Sequence, residues 1–437
     1  MLVLLGGMCF LLRVLFWFIY KPVVFPDTSG YELLASQIRM LNFNGYEGIR
    51  TPGYPLFLLI CALNHHIVWL VQSFLGIVIS IMLFEITFYL TQKYSLSFLA
   101  GILYSFSLNL LFFEATVLTE TLSIFLIVLS LLLIVKLCHT STSRPITFYY
   151  VSIGVVLGFA ILVRPYLLIL VFPILGFLAY RSLSARLPSH LIIKYLSAFI
   201  VPVAVIVLGW CAFNKIATGY FGITTLTGYS LTQHSGAFIE FAPDRYSTVR
   251  DIYLEHREIN IAEIGTHSQT IWRAYPEMLR VTGLSFGDLS RELTKMSMEL
   301  FVTHPDYYLK SVFKSWVDFW RVANYWRLDN FRSATLKIVL DIAWIVQHRT
   351  FVLINFIFLV ITIIYMYKVF AHKKIKNGFN LMVIGIVLPS SLFQAMVEHG
   401  ENARYAIVFQ PLIFLVVLVW LSENLAKILQ FLLLKKE

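Results

Sequence analysis

Charge is what this chain has least of. Asp, Glu, Lys and Arg make up 13% of its 437 residues, about half the ~25% of a soluble globular domain. With 59% hydrophobic residues and a mean hydropathy of +0.78, the composition excludes a soluble fold and predicts an all-α polytopic membrane protein. Cysteine is scarce as well. Cys9, Cys61, Cys138 and Cys211 all lie in or beside apolar segments, so neither a disulfide framework nor a zinc-binding spacing follows, and they read as small buried hydrophobes. Acidic residues are fewer than basic ones, 24 against 34, for a net charge of +10. In a membrane protein that excess speaks first of topology and of contact with anionic lipid headgroups. No basic run interleaved with aromatics is present, so no nucleic-acid partner is expected. Also missing are the P-loop, GxGxxG, HExxH and G-x-S-x-G patterns, which sets aside the corresponding nucleotide-binding, zinc-peptidase and serine-hydrolase chemistries. There is no internal repeat and no low-complexity segment.

What is present is a succession of apolar runs. Hydropathy predicts about ten spans, at 2–20, 66–90, 96–113, 117–137, 148–163, 165–180, 191–213, 351–370, 379–397 and 405–421. The first lacks a basic leader and an A-x-A cleavage site and reads as a retained span. The apolar stretch 54–63 is short and reads as a half-buried entry to the second span. Lys93, then Lys136 and Arg144, then Arg181, Arg186 and Lys194, then Lys368, Lys373, Lys374 and Lys376, then Lys435 and Lys436 alternate with the remaining loops so as to share one side. The positive-inside rule makes that side, with both termini, cytoplasmic. The chain then divides into an N-terminal membrane module at 1–213 with its first outer loop at 21–65, an outer-face, mostly helical region at 214–350 between spans seven and eight, and C-terminal spans at 351–437.

The polar groups of the short outer loops all fall at or near one set of span ends: Asp27, Arg50, Glu114, Glu120, Arg164, Glu398, His399, Glu401 and Arg404. A charge at bilayer centre costs about 2.5–3.5 kcal/mol on insertion scales, so such groups face either interfacial water or a shared cavity. Arg13 and Glu85 sit deeper and read as a structural ion pair between the first two spans. His65 and His66 read as interfacial.

The segment 25–55 carries the densest signal. Ser29 with Glu32 matches a capping box, and Tyr31, Leu34, Ala35, Ile38 and Leu41 follow at helical spacing, with Glu32, Ser36, Gln37 and Arg39 facing elsewhere. This predicts a short helix lying on an apolar surface. Pro52 and Pro55 then stiffen a turn that carries Arg50. In the long outer region, 218–236 reads as loop or short strands. Ser285 and Asp288 form a second capping box ahead of Leu289, Leu293, Met296 and Leu300, with a stop at His304-Pro305. Leu309, Val312, Phe313, Trp316, Phe319 and Trp320 make an aromatic face opposite Lys310 and Lys314, within an interfacial helix near 306–327 that serves either as an anchor or as a contact for a lipid substrate.

Taken together, Pro26-Asp27 with Tyr31, Arg50-Thr51-Pro52-Gly53-Tyr54-Pro55, Leu118-Thr119-Glu120, Val163-Arg164-Pro165 and Arg404-Tyr405 resemble the GT-C membrane glycosyltransferases, in particular the bacterial protein-mannosyltransferase-like enzymes and the lipid A aminoarabinose transferase. The resemblance is strongest over 25–173, weakens through the outer region and returns near 398–411. It implies a GT-C fold in a bacterial plasma or inner membrane. It also implies transfer of a single sugar, with inversion, from a polyprenyl-phosphate donor to a glycan, lipid or protein acceptor on the outer face. On this likeness Asp27 is the catalytic acid, Glu120 a second acid with Glu114 as its alternate, and Arg50 the contact to the donor phosphate, joined by Arg164 and Arg404. Tyr31, Tyr54, Glu114, Glu398, His399 and Tyr405 complete the candidate substrate contacts. For Asp27 a helix N-cap is the competing role. The chemistry fits the residue types. Glycosyl transfer passes through an oxocarbenium-like transition state, a carboxylate can take the acceptor proton, and a guanidinium matches a departing phosphate. The pattern also departs from the family. There is no adjacent Asp-Glu pair and no W-W-D-Y-G. Ile49-Arg50-Thr51-Pro52 replaces the Glu-Lys-Pro-Pro of the aminoarabinose enzyme, so its metal ligand does not carry over. No cofactor is assigned; a divalent metal stays open, with no ligand set identified. A transporter or flippase of a lipid-linked glycan, and an outer-face glycan polymerase or ligase, are the competing functions.

Overall fold

The computed structural model describes residues 1–140, 143–372 and 378–434. Of the lysines that orient the chain, Lys373, Lys374, Lys376, Lys435 and Lys436 lie outside them. The described residues form helices, with no strand beyond a single bridge between Val23 and Thr116. The N-terminal part contains α1 (Leu2–Ile19), α2 (Pro26–Met40), α3 (Gly53–Ile60), α4 (His65–Thr91), α5 (Tyr94–Ser105), α6 (Leu108–Glu114), α7 (Glu120–Cys138), α8 (Ser143–Val163), α9 (Val171–Ser184) and α10 (Ser189–Thr218). A helical unit follows, with α11 (Thr227–Ser235), α12 (Ser247–Ile264), α13 (Thr270–Thr282), α14 (Phe286–Thr303) and α15 (Pro305–Phe319). The chain returns through α16 (Ala334–His372), α17 (Gly378–Val397), the short α18 (Asn402–Ala406) and α19 (Gln410–Leu434). Among the described residues nine helices are long and apolar enough to cross a membrane, or ten if α5 and α6, bent by 59° at Phe106-Ser107, count as one span. The chain is an integral membrane protein.

Sequence explains the layering. In α7, Leu126, Ile127 and Val128, and again Ser130, Leu131 and Leu132, are buried at successive positions, so every face of this helix is covered and it is central. In α10 only a stripe is buried, Tyr195, Phe199, Val203, Val207 and Cys211, each four residues from the next, and the opposite face is exposed and apolar, as a lipid-facing helix requires. Small residues allow the closest crossing. A Cβ on Gly154 of α8 would run into the Phe199 carbonyl oxygen of α10. The α11–α15 unit has its own core, in which Tyr229, Tyr253, Ile271, Met278, Leu289, Leu293 and Leu300 pack together.

Several expectations are corrected. Helix α2 starts at Pro26, three residues before Ser29. Proline suits the first helical position, and Thr28 Oγ1 accepts a hydrogen bond from the Phe25 amide at 3.0 Å, which fixes the start. Ser29 donates to the Pro26 carbonyl, Glu32 pairs with His65 at 2.6 Å, and Asp27 stands in the first turn and is no N-cap. Gln37 is buried and donates to Asn44, while Leu41 is exposed at the left-handed helix end. The stretch 54–63 holds most of a separate helix, α3, broken from α4 where Asn64 caps the His66 and Ile67 amides. Arg13 pairs with Glu114, and Glu85 pairs with Lys136 at 3.1 Å. The 218–236 stretch holds α11, packed so tightly on α14 that a Cβ on Gly228 would meet the Ser290 carbonyl oxygen. Helix α15 ends at Phe319, and its aromatic face divides. Val312 and Phe319 are buried against the bundle, and Leu309 and Phe313 are exposed. The span expected at 351–370 is part of the 39-residue α16.

At Ser285 the N-cap half of the expected capping box forms, with the Asp288 amide donating to Ser285 Oγ at 3.1 Å, while the Asp288 carboxylate accepts from Ser285 Oγ at 2.7 Å. Three of the orienting positions meet at one end of the bundle. There Lys93 reaches the Ser422 carbonyl, Lys136 bonds Glu85, and Arg181 donates to the Leu137 carbonyl at 2.8 Å. The segment 25–55 lies at the other end.

Candidate active site

Backbone contacts bring the first two acids together. Val23 is bridged to Ala115 and Val117 by two 2.9 Å hydrogen bonds, and Thr28 Oγ1 donates to the Val117 carbonyl at 3.0 Å. Asp27 on the first turn of α2 is thereby held beside Glu120, the first residue of α7. Gln72 of α4 reinforces the same segment, donating to the Glu114 and Thr116 carbonyls at 2.9 and 2.7 Å.

The arginines arrive by three other routes. Arg50 lies on a loop clamped to the chain beyond α10. The Thr225 amide donates to the Gly48 carbonyl, Thr224 Oγ1 donates to the Ile49 carbonyl, and Tyr46 OH bridges the Arg50 carbonyl and Asn214 Oδ1. Gly48 has φ +76 and packs against Thr225. Gly53 then rests directly on the end of α8, where a Cβ would be 2.6 Å from backbone atoms of Leu162 and Val163. That close approach sets the Arg50 turn against the next arginine, Arg164, which is held extended between α8 and Pro165. Arg404 comes from α18.

These five residues form one chain of ion pairs. Arg50 Nη2 donates to Asp27 Oδ1 at 2.7 Å, and Arg404 Nη1 donates to Asp27 Oδ2 at 2.9 Å. Arg404 Nε and Arg164 Nη2 both donate to Glu120 Oε1, at 2.7 and 2.9 Å. Glu401 closes the set on Arg404 Nη1 at 3.0 Å. Three guanidinium groups thus face three carboxylates. Several buried donors and acceptors stay free: Arg50 Nε, Arg164 Nη1, Glu120 Oε2 and Thr119 Oγ1 make no hydrogen bond. Free buried polar atoms on strongly charged groups mark where a polar ligand would bond. Burial raises the Asp27 carboxyl, but Arg50 and then Arg404 outweigh it and hold it at about 2. Asp27 therefore carries its charge and keeps partial exposure, 33%, while Glu120 has none.

Aromatic rings support the arginines. The Arg50 guanidinium lies 4.7 Å over the Tyr31 ring, and Arg164 lies 5.2 Å over Tyr405 and 5.6 Å over Tyr166. Gly30 leaves room for Arg50, since a Cβ there would be 3.0 Å from Arg50 Nε. Tyr54 lies behind Tyr31, ring to ring at 5.1 Å, and bonds Gln72, which gives it a supporting position in the core. Glu398 is half-buried beside Tyr405 and accepts from Gln394 at 3.0 Å; burial pushes its carboxyl up to about 7.

Two sequence candidates lie elsewhere. Glu114 is bound by Arg13 and stays outside the cluster. His399 faces away from it, toward His234, His267 and Ser311. The residues that sequence reasoning left out of the site are Glu401, Tyr166, Gln72 and Tyr325, the last a ring whose hydroxyl lies within electrostatic reach of Glu401, Arg404 and Glu120. Glu401 was legible from its three-residue spacing to Arg404, and Tyr166 from its place next to the Arg164-Pro165 turn. Gln72 and Tyr325 sit in ordinary helix and loop sequence and give no signal. Among the described residues no group of three His, Cys, Asp or Glu side chains has a metal-binding arrangement. Comparison with family models, curated proteins and solved structures finds no match to this chain.

Proposed function

We propose that this protein is a membrane glycosyltransferase that moves a single sugar from a polyprenyl-phosphate donor to a hydroxyl-bearing acceptor. The observation that carries the reading is the convergence of Asp27, Glu120, Arg50, Arg164 and Arg404, drawn from five separate segments, into one ion-paired cluster at one bundle end. The donor phosphate takes up the guanidinium groups of Arg50, Arg404 and Arg164, whose charge and fork geometry match it. As they turn to the phosphate they release Asp27, whose carboxyl rises from about 2 toward the ordinary carboxylate range. Asp27 then accepts the proton of the acceptor hydroxyl while that oxygen bonds the anomeric carbon. The bond from that carbon to the phosphate oxygen breaks, and polyprenyl phosphate leaves with the electron pair, held by the arginines. The proton passes from Asp27 to solvent. Proton acceptance of this kind is worth about 10²–10⁴-fold.

An apolar cavity of about 390 Å³ supports an isoprenoid donor. It is lined by Pro173, Gly176 and Phe177 of α9 and by Leu381, Gly385 and Leu388 of α17. These are the helices that follow Arg164 and precede Glu398. The positive-inside rule makes the reactive end the outer face, with both termini cytoplasmic. The test is turnover of polyprenyl-phosphate monosaccharides by the reconstituted protein, with released polyprenyl phosphate followed by mass spectrometry. Release dependent on an acceptor is the expected result. Folded protein that neither binds nor turns over any donor in the panel sinks the reading.

A further inference from the structure

On the other side of the Glu398–Asn402 loop from the charged cluster lies a second polar site. Its floor is Gln233 and His234 of α11 and His399, all more than nine-tenths buried. Its rim is the half-buried His267 and Gln269 and the exposed Gly400. The groups adjoin one another. The His399 ring centroid is 5.6 Å from that of His234 and 5.8 Å from that of His267, nearly parallel to the latter. A Cβ on Gly400 would be 2.8 Å from Gln269 Nε2 and 3.2 Å from Gln233 Oε1. Gly400 has φ +142, and Gln269, a non-glycine residue, has φ +65.

The polar atoms here lack partners. Both Oε1 and Nε2 of Gln233, Nε2 of His234 and Nδ1 of His267 are buried without a hydrogen bond. Buried polar groups are normally satisfied, so a cluster of orphans calls for a ligand. Their chemistry selects its class. Gln233 presents a free donor and a free acceptor on one amide. Ser311 Oγ lies 2.8 Å from His234 Nδ1 and 3.3 Å from His399 Nδ1. Its oxygen accepts twice and its one proton can serve only one of these nitrogens, so at least one of the two rings donates to it through Nδ1–H. Burial and neighbouring charge, from Lys314 among others, lower His267 and His399, and burial with His399 holds His234 at about 3. The rings are neutral, and no carboxylate belongs to the set. Neutral groups that offer donors and acceptors side by side match hydroxyl groups, each of which donates once and accepts twice.

We propose that Gln233, His234, His267, Gln269 and His399 form a binding site for an uncharged, polyhydroxylated ligand, a sugar ring. Its role as the acceptor subsite rests on the transferase reading. The binding itself does not. Full-length protein in detergent is examined by saturation-transfer NMR with methyl glycosides of mannose, glucose, galactose and arabinose as probes. At least one binds the wild type. Binding is weakened about tenfold or more in Gln233→Leu and in Gln269→Gly, the second of which relieves the left-handed backbone while removing the amide. It is unchanged in Arg280→Ala, an exposed change on α13. No transfer to any glycoside, a site filled by water alone, overturns the proposal. So does binding that is indifferent to both amide variants. Glycoside binding that follows the amide variants, in protein that turns over no donor, keeps this site and removes the transferase. Donor turnover with binding indifferent to these residues does the reverse.

Discussion

Removing either member of the Arg13–Glu114 pair will destabilise the protein, and removing both will not. The pair is bidentate, with Arg13 Nη2 to Glu114 Oε1 at 2.6 Å and Nε to Oε2 at 2.9 Å, and both side chains are at most 3% exposed. The remaining Arg13 nitrogen donates to the Cys9 carbonyl and to Ser105 Oγ. Gly76 makes the space, because a Cβ there would overlap both partners. A lone charge left in such a site costs about 3–5 kcal/mol, while apolar replacement of both is close to neutral. Arg13→Met and Glu114→Leu should each lose about that much, and the double variant little. The coupling energy then exceeds ~3 kcal/mol, far above the ~0.5 kcal/mol of independent sites. Titration from mild detergent into SDS, followed by tryptophan fluorescence, measures it. The double variant should also retain sugar transfer, since Glu114 stands outside the cluster. Additive single effects would refute the pairing, and loss of transfer in a stable double variant would return Glu114 to the site.

Gly53→Ala places a methyl 2.6 Å from the Leu162–Val163 backbone and should cost about 1–3 kcal/mol. By shifting Arg50 it should also lower transfer up to about 10²-fold, which steady-state kinetics checks. Two carboxyls give stability opposite pH dependences. Asp27 is depressed from 3.8 to about 2, so its contribution is complete above pH ~4 and lost on acidification toward pH ~2. Glu398 is raised from 4.5 to about 7, so stability falls as pH rises through that window. Glu398→Gln should flatten unfolding profiles between those two pH values and leave the acid limb in place. Ser285→Ala removes the α14 cap and should cost ~0.5–2 kcal/mol, read as the same SDS midpoint, without changing transfer.

The charged residues that meet at the site were legible as charges gathered at one set of span ends in an apolar chain, with the roles of Asp27 and Glu120 implied by the family resemblance, and some also mark local breaks in the chain. Arg50 precedes a proline turn, Arg164 precedes Pro165, and Glu120 opens an apolar helix. What was not legible depends on packing between distant segments. The partner of Arg13 is decided by Gly76 and by the 59° bend between α5 and α6, neither of which a hydropathy profile resolves. The start of α2 was a contest between two caps, and Thr28 prevailed because it also bonds the Val117 carbonyl. The 227–235 stretch, with Gly228, Thr227, Thr232, Ser230 and Ser235 among its nine residues, has weak helix propensity and is helical because it is buried against α14. Hydropathy marks only the second half of α16 because Lys337, Asp341 and Arg349 interrupt its apolar run. The unpartnered Gln233 amide and the His234 and His267 imidazoles meet His399 from segments far apart in sequence, so no motif announces them.

The central claim is a division of labour, with the arginines holding the donor phosphate and Asp27 taking the acceptor proton. Wild type, Asp27→Asn and Arg404→Gln, reconstituted in liposomes, should be compared for donor binding and for sugar transfer in the same preparation. The account predicts that Asp27→Asn binds donor and loses transfer by about 10²–10⁴-fold, and that Arg404→Gln loses donor binding. Transfer that persists in folded Asp27→Asn, or donor binding indifferent to Arg404, would contradict it.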